Sequence, residues 1–497
     1  MEQQLGLTRT TQSRRAWLTL NYRWMHLFFT KNLSPGYLTV IDLQRRATWI
    51  GLALLCQSLV GVTPASTFIQ GFDGQWYLPL LELSGGLLPI GLTIGGIFAM
   101  WKAIQPTTLR QRLESTEQHG GRAQRMALLR TLILFLVGAV VAIVIIVQCF
   151  LPPSFSNDGT SLDTNAAQLL LQGKNPYTSS SILDIARDFA IQPGWTTPLR
   201  VGQFAGKLDY PSSVEMRSTF DTALKAGQAP EFESKVSYPA LSFLTLIPFA
   251  LFKFYNVLPF YLLCYIALAW IAWKVSKQQL RPWILLFTLA NVPMLTSVIG
   301  GNLDIFYILL LVLAWLFRDK RWLSAIFLGL AMASKQIAWF FVPFYLMMVW
   351  RNIDRRETIY RAMIAGMVVV VINLPFVIWN PGAWLAGVLA PMADPMFPLG
   401  VGLIDLSAFH LLPYLPSWVY LLLELGAMGG ALAVYWRICR VCPEAAMLLA
   451  VVPLFFAWRS LPSYFSCTAF PLFILMVARH RTTADKGNRP KAQKAIG

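Results

Sequence analysis

A chain of 497 residues with 56% hydrophobic and 13% charged side chains holds more apolar surface than a water-soluble fold can hide. Its mean hydropathy is +0.53. The net charge of +17 invites a nucleic-acid reading, but Lys and Arg cluster beside apolar runs instead of on one soluble face. That pattern belongs to a polytopic membrane protein and argues against a nucleic-acid partner.

In chain order, residues 1–47 are basic and moderately apolar. The first good span starts near Ala47, too late for a cleavable signal peptide. Candidate spans follow at 48–63, 79–101, 128–151, 238–253, 257–273, 282–299, 303–317, 321–334, 336–350, 361–379, 416–436, 444–458 and 463–478. The expected fold class is therefore all-α, with about 12–14 spans and one large extracytoplasmic loop at 152–237. Several spans are shorter than the roughly 20 residues that cross a hydrocarbon core, so helices are expected to stop in a cavity or a thinned region.

Orientation follows the Lys/Arg bias. Arg9, Arg14, Arg15, Arg23, Lys31, Arg45 and Arg46 put the N-terminus in the cytoplasm, and Arg479, Arg481, Lys486 and Arg489 do the same for the C-terminal tail. Thirteen spans cannot leave both ends on one side. Either a segment within 238–299 is re-entrant, or 398–412 supplies another crossing. The division expected is 1–127 (N-terminal segment and two spans), 128–478 (membrane module with the outer loop) and a tail at 479–497.

The six cysteines are scattered, and four lie inside apolar runs, where a reduced thiol acts as a small hydrophobe. Cys439 and Cys442 have the spacing of half a zinc site with no second pair or His nearby, so no metal ligands are assigned. A divalent metal is not excluded.

In the outer loop, 164–172 has helix-forming character, Asn175-Pro176 breaks it, and 179–190 is a second helix with Ile182, Ile185, Ala186 and Phe189 on one face. The stretch 192–236, rich in Pro and Gly, reads as irregular. Polar residues then gather on the outer side: Asp158 and Asp163 after an uncharged run, Tyr238-Pro239, Gly300-Gly301-Asn302, Asp304, Lys335 inside an apolar stretch, Asp394, Asp405 and Arg459. Ionisable groups at such depth usually serve a polar ligand or a pathway. Each has a plainer reading. Asp158 and Asp304 suit helix starts, with the cap favoured for Asp304; Asn302 suits a turn; Lys335 and Arg459 can snorkel to headgroups.

The order Asp158, Gly173-Lys174-Asn175-Pro176-Tyr177, Tyr238-Pro239, Gly301-Asn302, then Gly329-Leu330-Ala331 with Lys335 and Pro343, resembles the GT-C superfamily of polyprenyl-phosphate-sugar glycosyltransferases. Within it the chain looks most like glycosyltransferase family 87, the phosphatidylinositol-mannoside-type mannosyltransferases. The resemblance covers roughly 130–478. It departs from the family pattern at Ala240, where a second Pro is usual, and at Asn302, where Gln is usual. It implies an inverting transfer of a sugar, possibly mannose, from a polyprenyl-phosphate donor to a lipid or glycan acceptor at the extracytoplasmic face of the cell membrane. Asp158 would be the catalytic base, with Asp163 as fallback. Lys335 and Arg459 would hold the donor phosphate, and Tyr177, Tyr238 and Asn302 would line the pocket. No further cofactor is implied. The extra stretch 178–236 is expected to shape the acceptor site. Rival readings are a lipid or solute transporter or flippase, which would want repeat symmetry and midplane charge, and a non-catalytic membrane relative.

Overall fold

The computed structural model describes residues 40–61, 63, 78–105, 157–189 and 191–488, together with scattered positions between 136 and 150. The segment before residue 40, most of the expected 128–151 span and the end of the tail lie outside the described residues. The chain is an all-α polytopic membrane protein. Among the described residues the named strands are two residues each, Leu399–Gly400 and Arg459–Ser460, paired in parallel.

Among the described residues, four helices are long and apolar enough to cross a bilayer: Leu83–Ile104, Leu258–Val275, Arg355–Trp379 and Ser417–Ile438. A fifth crossing is available if Gln278–Leu289 and Val292–Ile299, bent by 44° across a short break, act as one broken span. Shorter apolar helices stop early, at Asp304–Leu316, Arg321–Ser334, Pro381–Ala393 and Pro443–Phe456. Two expected spans take another form. The stretch 238–253 is a pair of short helices, Leu241–Leu244 and Ile247–Leu251. The stretch 398–412 holds a two-residue strand and the single turn Asp405–Ala408, so it supplies no further crossing. The bent pair is a broken span or a re-entrant loop, and only the second would answer the parity of the spans.

The Arg355–Trp379 helix illustrates how sequence becomes membrane packing. Asp354 caps its start by accepting a hydrogen bond from Glu357 N at 2.6 Å. Glu357 then takes Arg361 Nε at 2.8 Å and Arg321 Nε at 2.7 Å, tying the first turn to the neighbouring helix. Beyond that turn, Met363, Met367, Val370, Val371, Leu374 and Ile378 are all exposed. Such a stripe is a liability in water and the natural lipid-facing surface of a span. The opposite face meets Arg321–Ser334 at Gly329, where an added Cβ would lie 2.6 Å from the Ala365 carbonyl oxygen. Small residues at helix crossings let backbones approach this closely in membranes.

The loop expected on the outer face is more ordered than its composition implies. Asp158–Leu171, Pro176–Ser179 and Ile182–Phe189 follow the expected helix, break and helix. The stretch read as irregular contains a further helix, Ser213–Ala226, started by a reciprocal capping box between Ser212 and Glu215 and stopped by Gly227 at φ 71°. Arg200 N donates to the Pro395 carbonyl at 2.8 Å, and Lys235 Nζ lies 2.6 Å from Asp394 Oδ2. These contacts fasten the loop to the segment that precedes the Leu399–Gly400 strand. Gly329→Val should lower the thermal unfolding midpoint in detergent, by the equivalent of about 1–3 kcal/mol of overpacking. Ala at Gly366, next to Ala365 but with nothing within 4 Å of an added Cβ, should not, and fluorescence-detected size exclusion after heating separates the two.

Candidate active site

The site begins with a clasp between two distant stretches. Asn157 caps the Asp158–Leu171 helix, its Oδ1 accepting from Thr160 N at 2.8 Å. Its Nδ2 donates to the Gly300 carbonyl and, at 3.2 Å, to Asn302 Oδ1. The Thr160 hydroxyl donates to the Gly301 carbonyl. Gly301 sits at φ 64°, and an added Cβ would lie 2.7 Å from Thr160 Oγ1, so both its backbone and the close approach demand glycine. The turn leads directly into the helix that begins at Asp304. Two acidic helix starts from widely separated parts of the chain are thereby brought side by side.

Asp158 is half-buried at the first position of its helix. Burial pushes its carboxyl pKa up from the usual carboxylate range. A hydrogen bond with the Thr197 side chain, the Arg459 charge and the Gly159 N–H at 2.8 Å pull it back down. Asp163, one and a half turns along, is buried beneath it. Its Oδ1 accepts from the Ser242 hydroxyl at 2.8 Å, and its Oδ2 is buried without a hydrogen-bond partner. Desolvation raises its carboxyl to about 8, against smaller opposing effects from Ser242 and Lys335, so it holds its proton at neutral pH.

Tyr238 lies at the centre. Its ring rests on Gly159, where an added Cβ would come within 3.0 Å of Cε2. The Lys335 ammonium sits 5.3 Å from the centre of the Tyr238 ring and 6.0 Å from that of Tyr307. Lys335 follows the last turn of Arg321–Ser334 in extended conformation. Its neighbour Gln336 donates to the Ser237 carbonyl at 2.6 Å and the Val388 carbonyl at 2.7 Å. Lys335 does not snorkel: its side chain is 8% exposed, and its Nζ is 2.8 Å from Asp304 Oδ1, on a side chain 1% exposed. Asp304, expected as a cap, is instead the counterion, with its second oxygen buried and unpartnered.

Arg459 approaches from the short sheet, its strand paired through Leu399. Its Nη1 is buried without a hydrogen-bond partner, and its charge is felt by Asp158, Tyr210 and Tyr464. Asp158, Tyr238, Lys335 and Arg459 thus share one neighbourhood, with Asp163 below. The other two residues named from sequence serve as its frame. Tyr177 is buried between Phe243 and Phe376, both ring centres at 5.8 Å, and its hydroxyl donates to the Tyr238 carbonyl at 2.8 Å. Asn302 is spent on the Asn157 clasp. Sequence reasoning missed Thr197, Tyr210 and Tyr464, which reach the site only through tertiary folding and carry no local signal. Among the described residues, no group of three or more His, Cys, Asp or Glu is placed to hold a metal ion.

The site thus gathers an acidic helix start, a buried ammonium and a guanidinium whose Nη1 has no hydrogen-bond partner. Residues 237–462 match the model of glycosyltransferase family 87. That stretch, somewhat under half of the chain, is thus similar to a GT-C type family, which supports a membrane glycosyltransferase. Tyr238, Asn302, Lys335 and Arg459 fall inside the matched stretch; Asp158, Asp163 and Tyr177 fall outside it. No curated protein and no solved structure matches the chain.

Removing one partner of the buried pair leaves an uncompensated charge, which typically costs about 3–5 kcal/mol. Lys335→Ala should therefore cut the yield of monodisperse protein sharply. Adding Asp304→Asn to Lys335→Met should restore much of it, as read by size exclusion.

Proposed function

We propose that the chain is an inverting transferase that takes one sugar from a polyprenyl-phosphate carrier and delivers it to a lipid or glycan hydroxyl on the extracytoplasmic side of the cell membrane. Asp158 is the general base. As the acceptor oxygen bonds to the anomeric carbon, its proton passes to the Asp158 carboxylate, and the bond from that carbon to the phosphate oxygen breaks. The polyprenyl phosphate departs carrying the negative charge. Arg459 is the first choice to receive it, because its guanidinium is not already neutralised. Lys335 contributes through a field that Asp304 partly cancels. Tyr238, between the base and the ammonium, borders the sugar. Mannose is the sugar this reading favours, through the family resemblance alone. No metal or organic cofactor is required by this scheme.

The observation that carries the reading is the meeting of the Asp158 carboxylate with the charge of Arg459, whose Nη1 is buried without a hydrogen-bond partner, from stretches about three hundred residues apart. Asp163 is the weaker base, since a carboxyl that holds its proton to about 8 accepts none at neutral pH.

Asp158→Asn should leave folding intact and reduce kcat by two or more decades, roughly the scale of general-base loss. A radiolabelled polyprenyl-phosphate sugar panel in membranes provides the assay, and near wild-type transfer by the variant would remove Asp158 from the base role. The pH profile gives an independent check. A base must be deprotonated to act, so kcat/KM should rise with pH along an acid limb. Burial raises the Asp158 pKa, so that limb should lie above the ordinary carboxylate value. Arg459→Gln withdraws a charge that favours the anion and should move the limb to still higher pH, whatever its effect on the maximum. A limb that stays put would separate Arg459 from the base.

A further inference from the structure

A polar cavity of about 430 Å³ opens between the outer loop and the segment before the Ser417–Ile438 helix. Its walls include Asp209, Tyr210 and Glu215 from the loop, and His410 and Tyr414 from across the gap. That volume falls in the lower range of small-molecule sites. We propose that this cavity is the acceptor vestibule, binding one or two neutral sugar rings so that a free hydroxyl is delivered past Tyr210 to Asp158. The proposal rests on the transferase reading above and adds where, and by what chemistry, the acceptor is recognised.

Three observations carry it. Tyr210 belongs to both places: it lines the cavity, and its phenol feels the charges of Asp158 and Arg459. Tyr210 therefore links the cavity wall to the electrostatic neighbourhood of the proposed base. The second observation is the charge balance. Lys207 is held by Glu215 at 2.7 Å, and Glu215 also accepts from Ser212 N at 2.9 Å, while Asp209 Oδ1 accepts from the Tyr414 hydroxyl at 3.0 Å. The one ammonium is neutralised, so an anionic ligand gains little. Glu215 is answered by that ammonium, while Asp209 keeps its charge and offers its remaining lone pairs as acceptors. Carboxylate and phenol oxygens with spare lone pairs suit hydroxyl donors, and two tyrosine rings offer apolar faces to the C–H side of a sugar. Third, the far wall is built under constraint. His410 holds φ 57°, unusual for a non-glycine residue. Behind Tyr414, within range of its phenol, Asp405 is 5% exposed with Oδ2 unpartnered.

The test is saturation-transfer NMR on the full chain in lipid nanodiscs, without any donor. The probes are methyl α-D-mannopyranoside and maltotriose as neutral sugars and D-glucuronate as an anionic one. Ring protons of the neutral probes should receive saturation in wild type and in Asp158→Asn. The signal should fall at least fivefold in both Tyr414→Ala and Asp209→Asn, two variants on opposite walls, each checked for monodisperse elution. Absent transfer in wild type, equal signals in the wall variants, or a stronger signal from glucuronate would each overturn the vestibule. Because no turnover is involved, those failures leave the transferase reading standing. Full transfer activity in Asp158→Asn alongside a normal sugar signal would sink the reading and not the site.

Discussion

The arrangement hangs on a desolvated ion pair. Lys335 and Asp304 are both buried within the protein, where an isolated charge costs many kcal/mol. Their attraction offsets that cost only if the two helices that carry them stay in register. A buried pair of this kind contributes little net stability compared with well-packed apolar side chains, but it tolerates few alternative geometries. The end of Arg321–Ser334 is thus pinned to the start of Asp304–Leu316, and the Tyr238 ring is held against the ammonium. From there the chain of dependence runs outward: Tyr238 rests on Gly159, and Gly159 follows Asp158.

The same pair reorders the roles expected of the two cations. A lysine isolated in apolar sequence looks like the natural phosphate grip. In the folded chain its charge is already answered, whereas Arg459, at the mouth of a short strand, has a buried nitrogen with no partner. A cation that is held in place but not neutralised is better suited to receive charge that develops during a reaction.

How much of this was legible in the chain varies by the kind of signal. Membrane class and helix content followed from apolar runs, because hydropathy reports burial in lipid directly. Helix count did not, since proline, glycine and short apolar runs are compatible with both a full crossing and a helix that stops inside, as 238–253 and 398–412 illustrate. The Ser213–Ala226 helix was overlooked although Ser212, Glu215 and Gly227 spell a start and a stop; the surrounding prolines and glycines masked it. Asp304 was taken for a cap because a helix-start carboxylate looks the same whether it meets a backbone N–H or an ammonium arriving from thirty residues on. Tyr177 looked like a ligand-facing aromatic after a turn. Only three-dimensional packing reveals that its ring fills a cluster with Phe243 and Phe376. The resemblance seen from about residue 130 also reached further toward the N-terminus than the matched stretch, which starts one residue before Tyr238.

The clasp made by Asn157 and Thr160 on the Gly300–Asn302 turn has a mechanical consequence. Three polar links across so small a patch couple the helix bearing the carboxylate to the loop leading into the lysine's counterion. If the outer elements breathe to admit a bulky lipid, these two acidic groups travel as one rigid unit. The spacing between them is then set by a few amide and hydroxyl contacts, and stays constant through whatever opening and closing the surrounding helices undergo.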